Sequence, residues 1–249
     1  MEKQLAKTKS EDWKVSFVPT ENQKNEVERW LKQEREETGE GFFCNWNIID
    51  EAFKEKKIAT ISIERKAIGF VIWSVRQFSA TIDIVEIDRK YRKKGAGRVL
   101  ITSLLNLLAA KDILAVDLQC SPPSSERIWR KFRFIDFPLG GDGEAGSNKW
   151  MYKILVPYLK PRFPDNGEVV QLWHNEPHHT IGSSPDIAWS LKFKKNTREL
   201  VKPIIYPASR DWRIKWIRNN EVIKDDKIKY FEKEIDFGRF IVIRSLPSR

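Results

Sequence analysis

The stretch Arg92-Lys93-Lys94-Gly95-Ala96-Gly97 carries the densest chemical potential in this chain. Glycines at 95 and 97 let the backbone turn sharply, so that several N–H groups converge on one point. A helix opening behind them adds its positive dipole end, and Arg92, Lys93, Lys94 and Arg98 add full charges. Such a cradle binds an anion, and a pyrophosphate fits it better than an isolated carboxylate. No Gly-Lys-Ser/Thr follows, so it is not a Walker loop, and it is not the G-x-G-x-x-G of a dinucleotide-binding βαβ unit. Taken alone, the same pattern also suits a strand–helix loop with glycines for geometry and lysines for solubility. Two other groups of reactive side chains invite attention. His174, His178 and His179, with Glu176 between them, are ligand types for zinc. Pro177 breaks the helix that would align His174 with His178, so an exposed loop is expected there and no metal. Cys120 ends an apolar run and reads as packing, and Cys44 lies in an aromatic loop with no His/Asp pattern to make it a nucleophile.

The elements that must position the loop alternate along the chain. Trp13–Val18 has strand period. Thr20 is placed to cap a helix, with Gln23 closing a capping box, Val27, Trp30 and Leu31 on one face, and Gly39 as the stop. Gly41–Asn47 reads as a loop, and Asp50 as the cap of a short helix running to Lys57. Strands follow at Ile58–Ile63, Ala67–Arg76 and Ala80–Asp88, the first two joined by a charged turn, Glu64-Arg65-Lys66. Behind the basic loop, Val99, Leu100, Leu104, Leu107 and Leu108 give an amphipathic helix. Ile113–Gln119 is a strand, Ser124 or Ser125 can cap a helix over Glu126–Lys131, and Arg133–Phe137 and Trp150–Val156 close the series around a flexible loop at Gly140–Ser147. This order predicts a mixed α/β sheet flanked by helices.

Beyond Pro157–Gly167, where three prolines break any regular element, helix signals vanish. Short strand-like runs recur at Glu168–Trp173, Ile187–Phe193, Val201–Tyr206, Trp212–Arg218, Val222–Lys224, Lys227–Ile235 and Arg239–Ser245, with Asn219-Asn220 at hairpin spacing. The expected organisation is therefore a domain over 1–157, a linker at about 157–167, and a small all-β sandwich or barrel over 168–249.

Composition sets the outer bounds. The chain has 249 residues, 41% hydrophobic and 32% charged, enough to bury a core as one large or two modest domains. Aromatics make up 12% of it, with ten Trp, which excludes wholesale disorder. Two cysteines exclude a disulfide scaffold and make a reducing cytoplasm the simplest home. Met1–Lys14 is too polar for a signal peptide, and no apolar run approaches the ~18 residues of a membrane span. The net charge of +10 invites an anionic partner without choosing one.

The basic loop, the strand Val85-Glu86-Ile87 ahead of it, the leucine-rich helix and the next strand resemble the cofactor-binding core of the GNAT acetyltransferase superfamily. Trp129-Arg130-Lys131-Phe132-Arg133-Phe134 resembles that superfamily's aromatic-x-lysine-x-glycine-phenylalanine run, and the likeness extends over about residues 13–156. It implies acetyl-CoA as co-substrate, no metal, and N-acetyl transfer to a primary amine by direct attack in a ternary complex. Carried over by position, the backbone of Arg92, Lys93, Lys94, Gly95, Ala96 and Gly97, with Arg98 beside it, holds the CoA pyrophosphate. The backbone of Ile87 and Arg89 pairs with the pantetheine arm like an added strand, and an N–H near Ile87 polarises the carbonyl. The attacking ammonium needs a base. Glu86 and Asp88 share one face of the strand and Asp83 the other. A carboxylate among apolar neighbours holds its proton tightly enough to work through a water, which makes Glu86 the first choice and Asp83 the second. The alternative for each is a plain ion pair.

Three positions depart from the family pattern. Trp129 stands where many members have a tyrosine, the acid for the leaving thiolate; Arg133 replaces the glycine before the phenylalanine; and Pro122 or a neighbour stands where an asparagine is usual. These leave a second possibility open, a catalytically degenerate CoA-binding or scaffold protein. Residues 160–249 carry 18 Lys and Arg against 12 Asp and Glu, and Trp173, Trp189, Trp212 and Trp216. The β module is therefore placed either to pack a core beneath a solvated basic surface or to dock RNA, such as tRNA, or an acidic partner. A homodimer through it is a further option; no membrane contact is expected.

Overall fold

The computed structural model describes residues 12–138, 149–163 and 167–247; Met1–Glu11, the loop at Gly140–Ser147 and Asn166 lie outside the described residues. The chain forms two compact units, one of residues up to 74 with 82–110, the other of 75–81 with 111 onward.

In the first unit, β1 (Lys14–Ser16) precedes α1 (Glu21–Thr38), a 3-10 turn at Phe42–Asn45 and α2 (Trp46–Lys54). Strands β2 (Ile58–Ile63), β3 (Lys66–Arg76) and β4 (Ser79–Ile87) follow, then a turn at Arg89–Tyr91 and α3 (Ala96–Ala110). The strands lie side by side in chain order, β1 and β2 antiparallel to their next neighbours. α1 starts and stops where its caps dictate. Thr20 Oγ1 accepts the Gln23 N–H at 3.3 Å, the Gln23 side chain accepts the Thr20 N–H at 2.9 Å, and Gly39 ends the helix at φ 71°. Its stripe of Val27, Trp30 and Leu31 packs with Ile49, Ile58, Phe70 and Ile72 into one buried core. Glu64 and Arg65, at φ 49° and 70°, supply the two left-handed residues that a tight β2–β3 hairpin requires. α2 differs from the sequence expectation. It begins at Trp46, four residues ahead of Asp50, because Asp50 serves as a mid-helix anchor for Lys24 and Lys54, each at 2.6 Å, and not as a cap.

The second unit holds β5 (Ala115–Gln119), α4 (Glu126–Lys131), β6 (Ile135–Asp136) and β7 (Trp150–Ile154), the strands antiparallel in the order β5-β7-β6. β6 is shorter than the predicted Arg133–Phe137, since Arg133 sits at φ 64° and cannot extend. Ser125 precedes α4 without a side-chain capping bond. The C-terminal strands are β8 (Val169–Leu172), β9 (Ile187–Ser190), β10 (Glu199–Pro207), β11 (Arg213–Arg218), β12 (Glu221–Lys227), β13 (Asp236–Phe237) and β14 (Phe240–Ser245). They form a four-stranded sheet, β12-β11-β8-β9, and a three-stranded one, β10-β14-β13. Asn219 and Asn220, at φ 49° and 65°, make the predicted β11–β12 turn. β13 falls between two of the expected runs, and Lys227–Ile235 departs. It holds a 3-10 turn at Ile228–Tyr230 that sends Ile228, Phe231 and Ile235 into the core around Trp189, Trp212 and Trp216. The chain is thus mixed α/β, with additional C-terminal sheets.

Residues 111–156 and the C-terminal strands share a core. Ala115 and Tyr152 pack with Phe78, Ile205, Phe240 and Val242. Asp117, 1% exposed, meets Arg239 at 3.2 Å, and the Arg239 guanidinium lies 3.8 Å over Trp150. The segment after Pro157 is pinned too, by Leu159 N–H to Pro203 O and Arg162 N–H to Ala188 O, both at 2.8 Å.

Candidate active site

The loop after β4 has the geometry of an anion cradle. Gly95 adopts φ 103° with nothing within 4 Å of where a Cβ would stand. Among the described residues, the backbone N–H groups of 93–97 meet no protein acceptor, whereas Arg98 and Val99 donate to Gly95 O at 3.0 and 3.2 Å. These are the orphan donors of a helix start, here at the 15-residue α3. Arg89, Lys93, Lys94 and Arg98 are exposed around them, Lys94 resting 5.1 Å over the Tyr91 ring. Gly97 is not in a left-handed conformation, and a Cβ there would meet only Ile87 Cγ1 at an ordinary 3.6 Å. The protein's own packing does not demand a glycine at 97. Close approach of a ligand would. The donor set therefore fits a diphosphate.

Arg92 departs from its neighbours in the loop. Its guanidinium turns inward: Nε donates to Ile87 O at 2.7 Å, and Nη2 donates to Glu34 Oε1 at 2.6 Å and Glu86 Oε1 at 2.8 Å. Its charge is spent on two carboxylates, which leaves the backbone and the other cations to face an anion.

Glu86 lies at the end of β4, its side chain mostly buried. Glu86 Oε1 also accepts the Ile87 N–H at 3.0 Å. Burial raises its proton affinity above the ordinary carboxylate range; Arg92 and the Ile87 N–H oppose that rise, and the charge of Glu34 adds to it. Asp83, the second candidate, is exposed and accepts from Ser74 Oγ at 3.3 Å. Asp88 is buried but engaged, its Oδ1 capping the Arg89–Tyr91 turn through the Lys90 N–H at 3.0 Å.

Two residues of this site escaped notice in the sequence. A Cβ on Gly69 of β3 would stand 2.4 Å from Ile87 Cδ1 and 2.8 Å from Glu86 O, so only glycine lets β3 pass beneath Glu86 and Ile87. An isolated glycine inside a strand pattern is the signal that was available. Glu34 of α1 falls at the spacing of the Val27, Trp30, Leu31 stripe and is 9% exposed. A charged residue on an apolar face was its signal.

Elsewhere, Trp129 is buried on α4 against Phe132 and Phe134, at 6.1 and 5.4 Å. His174 pairs with Tyr206 Oη at 3.2 Å and lies tilted against Trp212 at 4.5 Å, while the tilted rings of His178 and His179 are 3.9 Å apart. Among the described residues no group of three or more His, Cys, Asp or Glu comes together as a metal site. No described helix is long and apolar enough to cross a membrane.

The chain matches the model of the Acetyltransferase (GNAT) family over residues 12–134. It is also similar to solved structures. PH1933 from Pyrococcus horikoshii OT3 is 21% identical, over 57% of this chain and 98% of that one, with TM-score 0.47. The ribosomal-protein-S18-alanine N-acetyltransferase from Escherichia coli is 13% identical over 61% and 99%, with TM-score 0.47. The PaiA N-acetyltransferase from Thermoplasma acidophilum, in complex with coenzyme A, is 14% identical over 57% and 98%, with TM-score 0.43. No curated protein sequence matches the chain. Residues 12–134 are thus an acetyltransferase (GNAT) domain.

Proposed function

We propose that this protein is an N-acetyltransferase that moves an acetyl group from acetyl-CoA to a primary amine within a ternary complex. The observation that carries the reading is the row of unpartnered N–H groups at 93–97, opening on α3 and ringed by exposed cations. These groups, with Arg89, Lys93, Lys94 and Arg98, hold the diphosphate. Bound acetyl-CoA supplies a thioester carbonyl for the amine to attack and a thiolate to leave. The Ile87 N–H, once released from Glu86 Oε1, donates to the carbonyl oxygen as negative charge develops there. Glu86 takes a proton from the acceptor ammonium through a water, a task its raised proton affinity suits.

Calorimetric titration of acetyl-CoA into the protein and into Gly95→Glu tests the cofactor half. Micromolar binding that is lost in the variant is expected; no binding by the folded wild type would leave a fold without its substrate. Thiol release with short peptides bearing free N-termini and with small primary amines tests the acceptor half. A second reading, a CoA-binding protein without turnover, draws on the Ile87 N–H being already taken by Glu86 and on Trp129 in the tyrosine position. Under it, Glu86→Gln leaves acetyl-CoA affinity and every other property unchanged. For the acceptor, the exposed Lys192, Lys194 and Lys195 between β9 and β10, with Lys202 of β10, favour an anionic carrier such as RNA. RNA affinity falling steeply between low and physiological salt is the expected sign.

A further inference from the structure

Glu34 is an unusual residue to find in its place. It belongs to α1, far in sequence from β4, yet its Oε1 accepts from Arg92 Nη2 at 2.6 Å, the same nitrogen that donates to Glu86 Oε1 at 2.8 Å. Its other oxygen, Oε2, is buried with no hydrogen-bond partner among the described residues. It packs instead beneath the turn after α1, where a Cβ on Gly41 would stand 3.4 Å from Glu34 Cγ and 3.6 Å from Oε2. A carboxylate oxygen kept from water without a donor costs free energy. A second carboxylate on one guanidinium adds like-charge repulsion. A residue whose only task was to anchor Arg92 would avoid the like-charge repulsion as an amide, which still accepts from the guanidinium through its oxygen. The charged groups facing Glu86 are Arg92 from the loop and Glu34 from α1. Asp83 points to the other face of β4, and Asp88 is held by the Lys90 N–H.

We propose that Glu34 is a positioning residue for the transfer reaction: through Arg92 it holds the Glu86 carboxylate at the end of β4 and supplies the negative charge that keeps Glu86 a competent base. Arg92 is then the shared bridge. It is tied at Nε to Ile87 O at 2.7 Å, so that α1, the end of β4 and the basic loop are set by one side chain. The electrostatic consequence has a definite sign. Removing the Glu34 charge leaves Glu86 with Arg92 alone, so Glu86 gives up its proton at lower pH and becomes a weaker base. Burial is the larger cause of the raised proton affinity at Glu86, and the Glu34 charge acts in the same direction.

Like the acetyl transfer on which it rests, the assignment is tested with the full chain. Glu34→Gln and Glu34→Asp are compared with wild type after their thermal midpoints confirm folding. The carbon-13 signal of the Glu86 carboxyl is followed against pH without acetyl-CoA, and the acid limb of kcat/KM is measured with it. We expect the Gln variant to move both to lower pH and to lose about tenfold or more in kcat. Its calorimetric affinity for acetyl-CoA should stay within about twofold, an allowance well under the tenfold step of 1.4 kcal/mol. The Asp variant, which keeps the charge, should bring the Glu86 midpoint most of the way back. An unchanged Glu86 titration in folded Glu34→Gln, or an unchanged acid limb, overturns the assignment. Failure of the wild type to bind acetyl-CoA or to release thiol overturns the proposed activity instead, and with it the role in catalysis.

Discussion

At the scale of single residues, the site is built on contrasts between side chains of the same type. Glu86 and Asp83 both lie on β4, but only Glu86 is removed from water and bonded to Arg92. Glu86→Gln should therefore lower kcat by about 100-fold or more, while Asp83→Asn changes it little. Because burial raises the Glu86 proton affinity, wild-type kcat/KM should rise with pH through a midpoint above the ordinary carboxylate range. A midpoint at or below that range would remove Glu86 from the role. Gly95 and Gly97 form a second contrast. Gly95 is held at φ 103°, so Gly95→Ala strains the backbone. At Gly97 the added methyl meets an ordinary 3.6 Å contact inside a helix, so Gly97→Ala should leave thermal stability equal or higher. If a diphosphate lies against it, the same change weakens acetyl-CoA binding, and calorimetry beside a melting curve shows whether the two separate.

Elements are placed by their ends. α1 begins at Thr20 because that side chain and Gln23 satisfy each other's backbone donors, and Thr20→Ala should cost about 1 kcal/mol in denaturant unfolding. α4 ends with Arg133 at φ 64°, a conformation glycine adopts without penalty. This is the physical content of the glycine usual at that position in the family. Arg133→Gly should stabilise the protein by up to about 1 kcal/mol, and a loss of stability would mean that the arginine side chain compensates for its backbone. The joint between β3 and β4 is the least tolerant. Gly69→Ala drives a methyl into Glu86 O and Ile87 Cδ1, so it should disturb activity and stability together.

At the scale of the molecule, residues 111–156 are not finished without the C-terminal strands. Tyr152 and Ala115 share their core with Phe240 and Val242, and Asp117 takes Arg239 as its counter-charge. A fragment ending at 157 should expose that core and aggregate, whereas a soluble, cooperatively melting fragment would show that the strands beyond are an accessory. Arg239→Ala takes the counter-charge from a buried carboxylate that keeps only its bond to Thr81, and should cost about 3 kcal/mol. Burial raises the proton affinity of Asp117, so its contribution to stability is present at low pH and is lost as pH rises through its folded pKa. The deficit of Arg239→Ala should accordingly narrow on acidification, once Asp117 takes up its proton. Urea midpoints of both proteins across that range measure it.

What the sequence determined by itself was local chemistry. Caps, hairpin turns at Glu64-Arg65 and Asn219-Asn220, the apolar stripe of α1 and the glycine-bearing basic loop all follow from interactions within a few residues, so their signals are contiguous and readable. Asp50 and Lys227–Ile235 misled because distant partners, Lys24 for one and the tryptophan core for the other, overrode local preference. Only the tertiary structure decided that Arg92 turns from the loop toward Glu34 and Glu86, that Gly69 makes room for Glu86 and Ile87, and that Arg239 neutralises Asp117 across 122 positions. Each of those depends on two segments meeting in space, where removal from water makes charge pairing and close packing decisive, and no spacing along the chain encodes which segments will meet.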